Sequence, residues 1–350
     1  MRKLLRHTAL TTLKASGVFH FVQKSEWRRQ RLLILCYHGI SLADEHQWRP
    51  FLYISPGQFE RRLEILKKGN YTVLPLGEAL ERLFRKDLPP RSVVLTFDDG
   101  AYDFYAQAHP RIKQYGFPAT VYLTTYYSEH QWPVFGLMCM YLMWKARNQG
   151  TANLKEFGVS EPVVLDSAES RQTAADRVLQ SAESQNLTGE QKNQIVIAIA
   201  NRLKVDYEEL HAQRVLHLMT PQEVKLLAQE GVDFQLHTHR HRVPVKEDLF
   251  RQEIRDNRAR LANSVTGVRR HFCYPSGAYR PEFLQWLSAE DIISATTCDT
   301  GFAHSESNPL LLPRLVDTTG RSEIEFESWL TGVGHFISSH KRARLAYVPD

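Results

Sequence analysis

Cysteine is scarce in this 350-residue chain: only Cys36, Cys139, Cys273 and Cys298 occur, far apart and with no CxxC pair. That spacing excludes a disulfide framework and a thiolate zinc knuckle, and leaves reduced structural thiols as the expectation. Long apolar runs are also missing. No stretch approaches the roughly 18 consecutive apolar residues of a membrane-spanning helix. An excess of one charge is nearly absent, since 44 Lys and Arg face 39 Asp and Glu, and a dispersed net +5 is no electrostatic footprint for nucleic acid. There is no internal repeat and no low-complexity tract. What remains is an ordinary globular composition, long enough for one barrel-sized domain or two smaller ones.

The first 31 residues depart from this evenness. Eight Lys or Arg stand there against one acid, Glu26, interleaved with Leu4, Leu5, Leu10, Leu13, Phe19 and Phe21. Lys14 and His20 interrupt what would be the apolar core of a signal peptide, and no small-x-small cleavage site follows, so secretion is not expected. A basic amphipathic leader over 1–30 fits two readings equally: a helix lying on an anionic membrane surface, or a solvated or packed helix.

From residue 31 strand-like and helix-like segments alternate. Residues 32–38 (LLILCYH) form an apolar run ending in His38, and 91–100 (RSVVLTFDDG) form another ending in Asp98, Asp99 and Gly100. Between them Ser55 and Pro56 open a helix whose Phe59, Leu63 and Leu66 share a face, followed by a short strand at 71–74 and a helix at 76–87. A helix over 103–115 and a strand over 119–125 come next. Residues 126–219 break the rhythm with a Met- and aromatic-rich helical stripe and then polar, helix-prone sequence, read as a helical insertion or lid. Alternation resumes at the Thr220–Glu223 capping box, with strands at 232–236, 271–275, 291–297 and 310–315 and helices at 247–264 and 281–289. Seven or eight such strands suffice to close a parallel βα barrel.

Two further groups of polar residues join His38 at the ends of predicted strands, where barrels and open α/β sheets gather ligands. Asp98 and Asp99 adjoin on an extended strand and so point to opposite faces; both serve one site only if the backbone swings round near Gly100. A solvated Asp-Asp-Gly turn is the plainer reading. His237 and His241 share a face in either a helix or a strand, whereas His239 joins them only in a strand. Two surface histidines near an arginine would look the same. An aspartate pair and a histidine pair ending strands of one sheet favour a catalytic metal site of the type with three protein ligands.

Thr96-Phe97-Asp98-Asp99-Gly100, His237-Thr238-x-x-His241 and Tyr274-Pro275-Ser276-Gly277 resemble, in order, the first three motifs of the polysaccharide deacetylases, the NodB-homology or carbohydrate esterase family 4 enzymes. The resemblance spans about residues 30–320. It implies a distorted (β/α)7-8 barrel over 31–340 with the helical insertion at 126–219. It further implies Asp98 as general base, and Asp99, His237 and His241 as ligands of a divalent metal, zinc by default with cobalt, nickel or iron open. Tyr274, Pro275, Ser276 and Gly277 become substrate-binding, with the Ser276 N–H at the oxyanion.

The sequence departs from the family twice. Cys273 stands where many members carry an arginine, and Arg314 in Leu-Pro-Arg-Leu is the substitute, unless it merely caps an element at the surface. The family's late Leu-x-x-His motif, whose histidine is the general acid, has its match at the front, in Leu35-Cys36-Tyr37-His38. That order is similar to the circularly permuted subgroup that includes deacetylases of poly-N-acetylglucosamine export, and a closed barrel permits it because first and last strands are neighbours. A core histidine at position 38 is the rival reading.

The function so implied is N-deacetylation of amino sugars in exopolysaccharide or cell-envelope glycan synthesis. The expected partner is an N-acetylated glycan, free or lipid-linked. The expected location is cytoplasmic or peripheral at the inner face of the membrane. A metal amidase acting on a non-sugar amide, or a non-catalytic glycan-binding relic, would share these motifs. Tyr102 and Trp132 are candidates for stacking on sugar rings, or for plain packing.

Overall fold

Seven parallel strands close on themselves in a computed structural model that describes residues 2–130 and 132–337; the last three positions of the expected barrel, 338–340, lie outside the described residues. In chain order they are β1 (Arg31–Tyr37), β2 (Ser92–Phe97), β3 (Thr120–Leu123), β4 (Asp233–Leu236), β5 (His271–Cys273), β6 (Ser294–Thr300) and β7 (Leu312–Val316). Round the barrel the order is β1-β7-β6-β5-β4-β3-β2, and β2 returns to β1 in register Leu33↔Val93 through Tyr37↔Phe97. The first strand therefore sits between the second and the last. Among the described residues, closure leaves two short additions at the margin, Thr72–Val73 beside β2 and the antiparallel Ala303–His304 beside β1.

Period-two alternation sorts the strand residues into two buried sets. Leu33, Leu35, Val93, Leu95, Val121, Phe234 and Leu315 cluster with helix residues such as Phe59, Leu63, Ile112 and Phe250. Leu32, Ile34, Val94, Tyr122, Cys273 and Leu312 form the opposite set, joined by Leu76, Ala79, Leu80 and Leu83 of the helix Leu76–Arg85. Further along that second face stand Thr96, Asp98 and Arg314, all buried. Polar groups are thus built into the barrel lumen, where only mutual pairing makes them tolerable.

The expected helix over 103–115 begins as a π-helical turn, Phe104–Ala108, and continues as the α-helix His109–Tyr115 with Pro110 in its first turn. Proline has no N–H to give an α-helical bond, and widened turns of this kind commonly form where the ladder is interrupted. The segment 126–219 folds as four α-helices, Phe135–Lys145, Ala168–Ser184, Gly189–Leu203 and Tyr207–Ala212, with an unanticipated antiparallel pair at 151–152 and 163–164. Its apolar residues, Met138, Leu142, Val178, Val196 and Ile199 among them, bury one another in a cluster of their own. Two helices after the barrel, Glu323–Thr331 and Val333–Ile337, also went unanticipated, although Ser322 and Glu325 form a capping box.

The basic leader forms the helices Arg2–Ala15, Val18–Lys24 and Glu26–Arg29. Leu10 and Phe19 are buried against Ile324 and Val333, while Leu4, Leu5 and Phe21 stay exposed. Arg28 ties the segment down. It is fully buried, and its guanidinium donates to the carbonyls of Leu330 (2.9 Å), Arg31 (2.7 Å) and Ser92 (3.3 Å). Burial lowers its pKa to about 10, so the charge is kept at neutral pH. Arg28→Ala strands three buried carbonyls and is expected to cost about 2–4 kcal/mol. A urea midpoint that falls with an unchanged slope is the expected result; an unmoved midpoint would show that these bonds contribute nothing net.

Candidate metal centre and active site

The two aspartates part company because the chain turns sharply between them. Asp98 continues β2, donating its N–H to the Tyr37 carbonyl at 2.9 Å, and its side chain enters the lumen, 2% exposed. Asp99 then adopts φ +68° and Gly100 φ +80°, both in the left-handed region. At Gly100 a Cβ would lie 1.8 Å from Leu123 Cδ1, so any side chain there would have to displace a buried leucine. The swing expected at the glycine is therefore already under way at Asp99, whose carboxylate is carried to the rim of the barrel.

Inside the lumen Asp98 meets Arg314 of β7. The guanidinium is fully buried and binds the carboxylate through both ends, Nη1 to Oδ1 and Nη2 to Oδ2 at 2.7 Å each, while its Nε donates to the Thr297 carbonyl at 2.9 Å. Burial alone would raise the Asp98 pKa, but the charge and hydrogen bonds of Arg314 outweigh it and hold the carboxyl well below the usual range. Cys273 closes the group, its Sγ 3.1 Å from Arg314 Nη2 and 3.5 Å from Asp98 Oδ2. Burial pushes that thiol's pKa up, so it stays a neutral S–H.

At the rim, Asp99 Oδ1 lies 3.2 Å from His237 Nε2 and 3.3 Å from His241 Nε2. His237 follows β4 directly. Its Nδ1 is 2.8 Å from the Cys273 carbonyl, which can only accept, so Nδ1 carries the hydrogen and a neutral ring presents a bare Nε2 to Asp99. Two lone pairs at that distance repel unless a cation lies between them, either a second proton on the ring or a metal ion. The three ligand atoms fall within 4.8 Å of one another. Two imidazole nitrogens and one carboxylate oxygen, held from behind by a backbone carbonyl, suit zinc or a neighbouring divalent ion with a position left open.

The loop 237–241 is neither strand nor helix. Thr238 at φ +62° and His241 at φ +55° turn the chain so that His237 and His241 face the same oxygen. His239 is sent to the other side, where its Nδ1 is 2.9 Å from Thr125 Oγ1. His38 follows β1 directly, with its Nε2 3.6 Å from Asp98 Oδ2. Burial lowers the His38 pKa against the pull of Asp98 and Asp99, leaving a neutral imidazole.

The third motif, expected to bind substrate, is mostly packed inside the barrel: Tyr274 is fully buried and its hydroxyl donates to the Leu310 carbonyl at 3.1 Å. Pro275 and Gly277 are buried too; a Cβ on Gly277 would lie 2.7 Å from that of Cys298. Only Ser276, at φ +55°, faces the cavity. Neither Tyr102 nor Trp132 lines that cavity: Tyr102 lies under the Arg214 guanidinium at 3.7 Å, and Trp132 lines a separate cleft of the insertion.

The cavity is about 640 Å³ and is lined by His38, Asp99, His241 and Ser276 on the barrel side and by residues of the insertion opposite. Several participants escape a motif search. Asn257 accepts the His237 N–H at 2.9 Å and donates to the Leu123 carbonyl and Thr125 Oγ1 at 3.0 Å each, tying the histidine loop to the end of β3. Its signal was positional, a polar residue on the helix face that carries Phe250, Ile254 and Leu261. Asp103, buried at the cavity edge, has its pKa pushed well above normal by burial and then by Glu45. Arg49 closes the short helix Glu45–Trp48 and Tyr53 opens the two-residue strand Tyr53–Ile54 that pairs with Gly39–Ile40, and their sequence marks neither as a cavity residue.

Comparison with known proteins is consistent with this geometry. A Staphylococcus aureus protein named poly-beta-1,6-N-acetyl-D-glucosamine N-deacetylase is 30% identical over 115 residues, which is 29% of this chain and 39% of that one. YxkH of Bacillus subtilis is 34% identical over 94 residues, 27% of this chain and 32% of its own length. The chain thus matches between about a third and two-fifths of the length of these relatives. In fold it is similar to the Streptococcus pyogenes deacetylase PplD, solved with acetate, at TM-score 0.54 and 22% identity over 83% of this chain and 94% of that one. IcaB of Ammonifex degensii superposes at TM-score 0.53 with 16% identity, covering 86% of this chain and 97% of that one. The family model described as polysaccharide deacetylase matches residues 85–292, from just before β2 to just before β6, and so takes in Asp98, Asp99, His237, His241 and Ser276 but neither His38 nor Arg314. With well over half of its length matched, the chain belongs to the polysaccharide deacetylase family.

Proposed function

We propose that the protein is a metal-dependent glycan N-deacetylase, removing acetyl groups from amino sugars in exopolysaccharide or cell-envelope glycan synthesis. The observation that carries this is the meeting of one Asp99 oxygen with two imidazole nitrogens at 3.2 and 3.3 Å, beside an aspartate that Arg314 holds ionised. Asp99, His237 and His241 would hold the ion, with zinc the default and cobalt, nickel and iron its competitors. A divalent cation there supplies Lewis acidity, polarising the acetyl carbonyl and acidifying water.

The chain's own groups do the rest. Asp98 accepts the proton of the attacking water; a carboxylate offers about four lone-pair sites, and the two-pronged contact with Arg314 leaves room for that bond. A C–O bond forms at the acetyl carbon. The Ser276 N–H steadies the oxyanion, a contact typically worth about 3 kcal/mol. His38, with its Nε2 3.6 Å from Asp98 Oδ2, takes over the proton that Asp98 drew from the water and passes it to the leaving nitrogen as the C–N bond breaks, releasing acetate and a free amine. In this reading residues 31–340 act as one catalytic domain and 126–219 as its lid. Exposed Leu4, Leu5 and Phe21 among the leader's basic residues support contact with an anionic membrane surface, and no helix among the described residues is long and apolar enough to cross a membrane.

Acetate release from a panel of N-acetylated glycans tests the reading. Metal-dependent release from N-acetylglucosamine oligomers, abolished by chelation and restored by zinc, is the expected result. Release from small cyclic amides with none from any glycan would establish the amidase instead, and a chain that binds oligomers without turnover would be the relic.

A further inference from the structure

The wall facing the metal ligands has an unexpected chemistry for a sugar site. Leu52, Leu137, Met140 and Leu179, three of them from the insertion, pack on one side against its apolar cluster and line the catalytic cavity on the other. The insertion also brings Tyr127, Asp176 and His217 to the cavity, but the stretch formed by Leu52, Leu137, Met140 and Leu179 offers sugar hydroxyls no hydrogen-bonding side chain. Among polar groups the cavity holds two arginines of different standing. Arg240 is held by Glu253 at 2.9 Å and Asp256 at 3.6 Å. Arg49 has no carboxylate within ion-pair distance among the described residues: its guanidinium rests on the Trp48 ring at 4.6 Å, with Nη2 2.8 Å from Met140 Sδ. A half-buried guanidinium set against an apolar wall is matched by an oxyanion that carries an apolar chain.

Resting on the deacetylase reading above, we infer that the substrate is an amino sugar joined through a phosphodiester to an apolar chain. Arg49 takes the phosphate, and the wall of Leu52, Leu137, Met140 and Leu179 takes the start of the chain. The acetylated sugar is thereby held between its anchor and the metal ligands. The insertion becomes the element that sets the substrate class, because the wall is mostly its own.

The test uses the full chain with its metal and three soluble substrates: N-acetylglucosamine bearing a short branched alkyl phosphodiester, the same sugar with the alkyl chain and no phosphate, and an N-acetylglucosamine oligomer. The phosphodiester is expected to exceed the oligomer in kcat/KM by about tenfold or more, since one apolar group in a fitted pocket discriminates by about 10- to 200-fold, with the plain alkyl glycoside between them. Arg49→Ala is expected to close the gap between the two chain-bearing substrates, Arg49→Lys to keep part of it, and Leu137→Ser to shrink the preference of both over the oligomer. Equal kcat/KM on all three by the wild-type protein overturns this inference and leaves the deacetylase reading standing. No acetate from any of them overturns both. The wild-type comparison decides the matter even where a variant fails to fold.

Discussion

Asp98→Asn is expected to lower turnover on an N-acetylated glycan by about 10³-fold, within the 10²–10⁴ that a positioned base supplies, while the metal stays bound. The reason is a division of labour between neighbours. Asp99 reaches His237 and His241 at the rim, whereas Asp98 is turned into the lumen and touches Arg314 instead. Asparagine keeps an acceptor for the guanidinium but cannot take a proton. Because it also leaves a buried cation without its counter-charge, some loss of stability accompanies the change, and the assay belongs at a temperature where circular dichroism shows the variant folded. Undiminished turnover in a folded Asp98→Asn would remove it as the base.

The second large effect concerns Arg314. Arg314→Leu abandons a fully buried carboxylate, and breaking such a pair from one side typically costs about 3–5 kcal/mol. Turnover should fall as well, since the guanidinium fixes both oxygens of Asp98. The double variant Asp98→Asn, Arg314→Leu should recover part of the stability and none of the turnover, which separates the two roles. The pH dependence follows from the sign of the shift. Folding holds the Asp98 carboxyl well below its ordinary value, so the pair's contribution is complete above the unfolded carboxyl's pKa of about 3.9 and fades as pH falls through the folded one. Urea midpoints at neutral pH should therefore show the full deficit of Arg314→Leu, and a deficit that vanished there would contradict the burial argument.

Much of this was legible in the sequence, for identifiable reasons. The apolar runs of β1 and β2 end where the side chains change character, so His38 and Asp98 mark the mouth of the barrel. Ser55 and Thr220 cap their helices as their chemistry dictates. Closure of the barrel made sense of a histidine motif at the front of the chain, because β1 lies between β2 and β7. What stayed hidden depends on backbone conformations that no side chain advertises. Left-handed turns at Asp99, Thr238 and His241 decide which carboxylate and which histidines converge, and β-branched Thr238 is an improbable host for one. Tyr274 reads as an aromatic available to a ligand, yet packing over the end of β7 buries it. Asn257 and Asp103 act through what lies across from them in space, which neither spacing nor composition reveals.

Metal content reaches the central claim most directly. About one tightly held divalent ion per chain is expected after reconstitution with zinc and dialysis, retained by Asp98→Asn and lost by His237→Ala and Asp99→Ala. A folded His237→Ala protein that kept its full metal content, or a wild-type chain that held none, would contradict it.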